Sequence, residues 1–545
     1  MKLSLLLAAS LLLALPAFAD GNGNDMQHHE DLTPQQVGSV HFPVSCTAGE
    51  QKPFERGVAL LHSFWYEEAE KEFEQIAKDD PGCAMAHWGV AMSLWHQLWN
   101  RPSAEYLERG AQEVKKAQSL HAKTQRERDY IAAMGAFYFK ASKRDYQVRV
   151  EAYSRAMQHM YERYPGDREA AAFYALSLLA AEPDGDTTFA YRKKAAAVLE
   201  KLFAEDPNHP GVAHYLIHTY DKPQLAQLGL PAARRYAALA PAAPHALHMP
   251  SHIFARLGLW QDDIDSNLAS IAATRKSAVM HMGGESHQFH SMDFLVYAYL
   301  QSGREADAMK IIEEVKAMPP MPDAADMGMD MHAYAMAKFP ATYDLELHHW
   351  ADAAALTPPP GADEGDNSIT YWARAIGAAR SGDFAGARKD VAELAAIEKS
   401  LLEKNKKYWA EVVADSRREA EAWIAHSEGK NEEAIKTLRT IAEKEEATGD
   451  EPGAIPAREM LADLLLEMNR TQQALVEYEA DLKFNPNRFN GLYGAARAAE
   501  MAGQNVKADA YYAELVKSCA GSDSSRPELS RAKKLLAKNQ VTAKE

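Results

Sequence analysis

Apolar and small residues recur along this chain at the spacing of paired helices. Near the C-terminus they fall three and four residues apart, which is the period of one helix face. The members of this pattern are Leu461, Ala462, Leu465, Ala474, Tyr478 and Pro486. A matching set near the N-terminus is Tyr66, Ala69, Phe73 and Pro81, followed by Trp88 and Gly89. The spacing predicts units of two antiparallel helices in about 34 residues.

Four further stretches fit the same template. They begin at Gly303, Gly382, Gly429 and Gly503, and each continues with an alanine and a large apolar residue at helical spacing. About ten such units would fill the chain. We therefore predict an all-α helical-repeat solenoid of the tetratricopeptide type.

Two Pro-rich segments interrupt the repeat, one at 318–332 and one at 357–368. Proline and glycine clusters of this kind mark loops. We therefore expect an N-terminal solenoid over 38–320 and a C-terminal solenoid over 367–545. Between them, 321–366 is expected to be an irregular Met- and Pro-rich link that contains helices.

The first residues have the pattern of an export signal. Lys2 precedes a Leu/Ala run that ends in Ala17, Phe18 and Ala19, which predicts a signal peptide over 1–19 that is cleaved on secretion. The polar segment 20–37 has no hydrophobic period and is expected to be a disordered lead-in. No later segment has the roughly 20 apolar residues of a membrane span. We expect a periplasmic or secreted protein without membrane insertion.

The chain contains three cysteines. Cys46 and Cys83 lie just before or at the start of the first helix of two consecutive predicted units. In an oxidising compartment we expect them to form a disulfide, which leaves Cys519 free.

Histidines are concentrated in the middle of the chain. Eight of the 21 fall in one stretch: His214, His218, His245, His248, His252, His281, His287 and His290. Spacings of three and four place histidines on one helix face, and stacked units would bring neighbouring faces together. Imidazoles grouped in this way suit zinc or copper. We expect one metal site, or two close sites, built from His214, His218, His248, His252 and His290.

A second interpretation of the same region is a polar groove that binds a peptide. The positions expected to face the concave groove include His245, Arg256, Asp293 and Tyr297. Arg256 would clamp a carboxylate of the bound molecule or, alternatively, form an ordinary ion pair. The histidines would then only donate and accept hydrogen bonds. The sequence leaves both interpretations open.

Copper has separate support in methionine, a soft ligand, because Met318, Met321, Met327, Met329 and Met331 lie beside His332. Methionine also fills irregular gaps in protein interiors. Asp221 and Glu285 are candidate general bases, but the chain has no HExxH, GxSxG or phosphate-binding glycine motif. Enzymatic activity is therefore not supported.

Several segments resemble a family of secreted bacterial tetratricopeptide-repeat proteins. The matching segments are CAMAHWGVAMSLW, HYLIHTYD, HALHMPSHIFARLGLW, MDFLVYAYLQ and IPAREMLADLLLE. The resemblance implies the repeat fold and no reaction. The net charge of −17 and the lack of a basic stripe exclude nucleic acid as an expected partner. We expect an exported scaffold for a protein or peptide, or alternatively a metal-binding protein or metal-dependent enzyme, of undetermined oligomeric state.

Overall fold

The computed structural model describes residues 32–98, 101–280, 282, 286–319, 330–449, 453–522 and 524–542. These residues form helices, turns and loops, and no strand. The predicted signal peptide and most of the predicted lead-in lie outside the described residues. The central part of the Met-rich segment, 320–329, does so as well.

The N-terminal helices and their bounds are α1 Pro34–Val37, α2 Gln51–His62, α3 Tyr66–Asp79, α4 Ala84–Ser93, α5 Ala104–Ser119, α6 Gln125–Tyr138, α7 Tyr146–Arg163, α8 Arg168–Ala180, α9 Ala190–Glu205, α10 Pro210–Tyr220, α11 Ala226–Leu239, α12 Pro244–His248, α13 Pro250–Arg256 and α14 Trp260–Val279. Those that follow are α15 Ser286–Gln301, α16 Glu305–Ala317, α17 Met331–Glu346, α18 Trp350–Ala355, α19 Glu364–Ser381, α20 Phe384–Glu403, α21 Lys407–Ser427, α22 Asn431–Thr448, α23 Ala457–Glu467, α24 Thr471–Phe484, α25 Phe489–Met501, α26 Asn505–Ser518 and α27 Pro527–Thr542.

Successive helices stack as repeated pairs. Most helices pack against the next helix in the chain, and the first helix of a pair often also contacts that of the following pair. The ring of Phe73 in α3 shows why small residues recur, because it lies against Gly57 in α2 and Gly89 in α4, where a Cβ atom would collide with it. Close approach of this kind needs glycine or alanine. The predicted all-α solenoid of tetratricopeptide type is confirmed.

The stacking continues through the predicted link. Helix α17 packs on α15 and α19, and α18 packs on α19, so the described part of 330–366 belongs to the solenoid. The division into N-terminal and C-terminal solenoids at 320 and 367 stays a prediction. Within the described residues, no helix combines the length and the apolar character needed to cross a membrane.

The folded part of the chain begins before residue 38, so the expected disordered lead-in is too long. Thr33 caps helix α1, Val37 is fully buried, and the carbonyl of Gln36 accepts a hydrogen bond from the Ala242 amide at 2.9 Å. Cys46 and Cys83 are joined by a disulfide in the structure, with their Cα atoms 4.7 Å apart. Cys519 is free and buried.

The C-terminal helices pack against the middle of the solenoid. The turn at Gly258 has a φ of 63° and lies so close to the Pro486 carbonyl that a Cβ atom would collide. Trp260 donates its indole N–H to the Asn487 carbonyl at 2.8 Å. Next to this contact, buried Arg488 donates to the Tyr297 hydroxyl at 2.6 Å. The face of α15 that carries Tyr297 is therefore covered by the chain itself.

Candidate metal centre

Three consecutive inner helices carry the clustered histidines. They are α10, the α12–α13 segment and α15, the first helices of three neighbouring pairs. The structure brings the predicted ligands together but divides them into two sets. The upstream triad is His214, His218 and His245, and the downstream triad is His248, His252 and His290. Within each triad, one nitrogen from every ring lies within 4.8 Å of the other two.

The α12–α13 segment supplies histidines to both sets. Helix α12 ends at His248 and α13 begins with Pro250 at its first position, where proline is tolerated because the first amides of a helix have no helical acceptor. Met249 between them keeps helical backbone angles, with φ −52° and ψ −34°, so the segment continues nearly as one helix. His245 joins the α10 histidines, whereas His248 and His252 join His290 on α15.

In the downstream triad, two ring nitrogens face each other. The Nε2 atoms of His248 and His252 are 3.0 Å apart. Two imidazole nitrogens bound to one zinc ion at 2.0–2.1 Å in tetrahedral geometry would stand roughly 3.3 Å apart. The His290 ring completes the set, with its centroid 4.5 Å from that of His248 and 5.6 Å from that of His252.

The other ring nitrogens of His248 and His252, their Nδ1 atoms, form hydrogen bonds with oxygen acceptors. His248 Nδ1 is 2.7 Å from Asn267 Oδ1, and the Asn267 amide nitrogen donates to Asp263 at 2.6 Å, which identifies Oδ1 as the acceptor. His252 Nδ1 is 2.9 Å from Asp221 Oδ2. Each Nδ1 therefore carries the proton, and in neutral rings each Nε2 presents a lone pair towards the other.

Both carboxylate oxygens of Asp221 accept hydrogen bonds, one from His252 and one from Arg256. Its second oxygen accepts from Arg256 Nε at 3.0 Å. Burial raises the pKa of this carboxyl, but Arg256 and then His252 lower it more, so the pKa lies well below its usual value. Asp221 is thus an ionised acceptor that orients His252 and does not lie among the converging nitrogens.

One buried aromatic ring lies against all three histidines of the downstream triad. The ring of buried Phe294 lies 5.0 Å from His248, 4.6 Å from His252 and 5.3 Å from His290, between centroids. Burial, and secondarily His252, lowers the pKa of His290 to about 3. Burial and His290 place the pKa of His248 well below its usual value. These two imidazoles are neutral at physiological pH, which is the form that binds metal.

Three of the four positions expected to face an open groove are buried against other parts of the chain. Tyr297 is buried and bonded to Arg488, Arg256 is buried and paired with Asp221, and His245 belongs to the upstream triad. Asp293 is only partly buried, and it accepts from the Tyr334 hydroxyl at 3.0 Å. His245, Arg256 and Tyr297 are therefore packed against the chain's own side chains, and binding of a peptide at this face stays a prediction.

The structure describes only part of the predicted methionine site. Met331 is buried in the core at the start of α17, and His332 bonds the Val315 carbonyl at 3.2 Å. Met318 accepts a weak hydrogen bond from Gln288. Met321, Met327 and Met329, like Glu285 and His281, lie outside the described residues.

Sequence reasoning missed the residues that support the histidines. Asn267 and Phe294 carry no motif, and Phe64, which lies against the upstream triad, is about 150 residues from it in sequence. The available signal was periodicity: Phe294 follows His290 by four residues and therefore shares its helix face.

Comparisons with known proteins give only a distant likeness. No protein-family model matches the chain, and no curated protein matches it. Among solved structures, the human IFIT1 dimer with m7Gppp-AAAA is 12% identical, with 80% of this chain and 90% of that chain covered and a TM-score of 0.34. A Naa15/Naa10 complex bound to HypK-THB is 11% identical over 90% of this chain and 91% of that chain, with a TM-score of 0.24. Likeness this low says nothing about what this chain binds, so the exclusion of nucleic acid stays a prediction.

Proposed function

We propose that this protein binds a transition-metal ion of the zinc or copper class at His248, His252 and His290. The observation that carries the proposal is the 3.0 Å approach of two Nε2 atoms whose Nδ1 atoms both bond oxygen acceptors. Two lone pairs at this distance repel each other unless a cation lies between them.

A shared proton is the competing explanation. A proton on one Nε2 would bridge His248 and His252, but it joins only two nitrogens. The third imidazole, His290, has no place in that arrangement, whereas a metal ion coordinates all three. Three imidazole ligands, with an outer carboxylate and amide that fix the rings, match the usual construction of a protein metal site.

The rest of the function follows the sequence predictions. We propose that the protein is exported, with residues 1–19 removed, and that it acts as a metal carrier or reservoir. Binding of a protein or peptide in the concave groove remains a prediction. Three protein ligands leave a coordination position open, but no described general base faces the triad, and we propose no reaction.

Metal analysis tests the proposal. Chelator-treated protein is loaded with Zn²⁺ or, anaerobically, with Cu⁺, passed through a desalting column and assayed for bound metal. His290→Ala is the best variant, because His290 is only partly buried and its loss should leave the fold intact. We expect its affinity for the ion at this triad to fall by at least roughly 100-fold.

The matched control is His209→Gln. His209 is as buried as the ligands and belongs to a separate histidine cluster, so its loss should leave binding unchanged. Equal retention of metal by wild type and His290→Ala would refute the site. Absence of metal from wild type would refute the function and support the shared proton.

A further inference from the structure

The upstream triad resembles the downstream one in the close approach of two imidazole nitrogens. The Nε2 atoms of His214 and His245 are 3.1 Å apart, and a nitrogen of His218 lies within 4.8 Å of both ligand atoms. His214 Nδ1 is 2.6 Å from the backbone carbonyl of His62. A carbonyl only accepts, so Nδ1 carries the proton and the Nε2 of neutral His214 presents its lone pair to His245.

The third ring of the upstream triad has an unsatisfied nitrogen. Within the described part of the chain, the buried Nε2 of His218 has no hydrogen-bond partner. Buried polar atoms are satisfied in the great majority of cases, and an exception calls for an explanation such as an absent ion.

One phenylalanine covers all three upstream rings, as Phe294 does downstream. The ring centroid of Phe64 lies 4.3 Å from that of His214 and 5.5 Å from those of His218 and His245. Phe64 lies in the α2–α3 turn with a φ of 53°, at the position that Gly258, Gly303 and His348 occupy in later turns, also with positive φ.

The two triads are neighbours. Helix α12 supplies His245 to one and His248 to the other, and the centroids of these two rings are 6.3 Å apart. We propose that the upstream triad binds a second metal ion, so that the protein carries a pair of copper ions in the cuprous state. This inference rests on the proposed function for the downstream ion only.

The ligand set selects the ion. Neither triad contains a carboxylate or thiolate, which disfavours calcium and magnesium, whose ligands are oxygens. Imidazole suits copper and zinc alike. Charge then decides, because repulsion between two neighbouring ions scales with the product of their charges, and two Cu⁺ ions repel about one quarter as strongly as two divalent ions. The nearest carboxylate, Asp221, already pairs with Arg256 and His252.

The test counts Cu⁺ equivalents lost from full-length protein. Wild type, His218→Ala, His290→Ala and the double variant are loaded anaerobically with Cu⁺ against a chromogenic Cu⁺ chelator, with the disulfide intact. Ions bound elsewhere cancel in the difference from wild type. We expect each single variant to lose one equivalent and the double variant to lose two, while His209→Gln loses none.

The outcomes separate this inference from the proposed function. Loss of one equivalent in His290→Ala but none in His218→Ala overturns the second site and leaves the first. Loss in neither variant overturns both. Loading of two equivalents of Zn²⁺ under the same conditions overturns the assignment to copper. His218→Gln serves as a second variant if circular dichroism shows that His218→Ala is misfolded.

Discussion

Two largely buried histidine clusters in this protein differ in what their nitrogens face. In the paired cluster, formed by His62, Glu169 and His209, His62 Nε2 is 2.6 Å from one oxygen of Glu169 and His209 Nε2 is 2.9 Å from the other. His62 Nδ1 bonds the Tyr215 hydroxyl at 2.8 Å. In the downstream triad, by contrast, nitrogen faces nitrogen.

The difference shows how a buried histidine cluster can be assigned a role. A carboxylate between two imidazoles satisfies both with the protein's own atoms, so the paired cluster is complete and structural. Burial raises the pKa of Glu169, but His209 and then His62 lower it well below its usual value, which keeps the carboxylate ionised. The downstream triad has its carboxylate on the outer side of a ring, and we propose that a cation lies at its centre.

Among the variants that distinguish the two clusters, Glu169→Ala should have the largest effect on folding stability. Removing the shared carboxylate leaves two buried imidazoles without their partner and should destabilise the fold by about 3 to 5 kcal/mol. The urea midpoint, followed by circular dichroism, should fall equally in metal-loaded and in chelator-treated protein. A fall confined to metal-loaded protein would mean that the paired cluster also binds metal.

The second largest effect should be the stabilisation of the protein by bound metal, which should depend on the downstream triad and not on the paired cluster. At a free-ion concentration 1,000 times the dissociation constant, binding adds about 4 kcal/mol to the folded state, so the thermal midpoint of wild type should rise on loading. His290→Ala should lose the part of this rise that comes from the downstream ion, and His209→Gln should keep the whole rise. An equal rise in His290→Ala would place the stabilising ion elsewhere.

A smaller effect should follow from Asn267→Ala, which removes the acceptor that orients His248. Outer partners of metal-bound histidines contribute roughly 10-fold or more to affinity. The matched control is Asn431→Ala, since Asn431 Oδ1 lies 2.8 Å from Nδ1 of His426, a histidine outside the triads. Competition with a chelator should show weaker binding only in Asn267→Ala. Unchanged affinity there would show that His248 is not a ligand.

Periodicity was sufficient to predict the repeat fold and the identity of five clustered histidines. Ala474 and Tyr478, for example, occupy the core positions that their spacing suggests. The grouping into two triads could not be predicted, because it depends on whether each histidine of α12–α13 meets α10 or α15, and on a backbone carbonyl at His62, far away in sequence. The burial of Tyr297 could not be predicted from the sequence either, since only the folded chain brings Arg488 to it.

X-ray absorption of Cu⁺-loaded His218→Ala protein tests the central claim most directly, because in that variant the downstream triad is the intact three-histidine set. The account predicts an inner shell of imidazole nitrogens at about 2.0 Å, with outer-shell scattering from the rings, and loss of that signal when His290→Ala is added. A shell dominated by sulfur or by carboxylate oxygen, or an unchanged spectrum in the double variant, would contradict it.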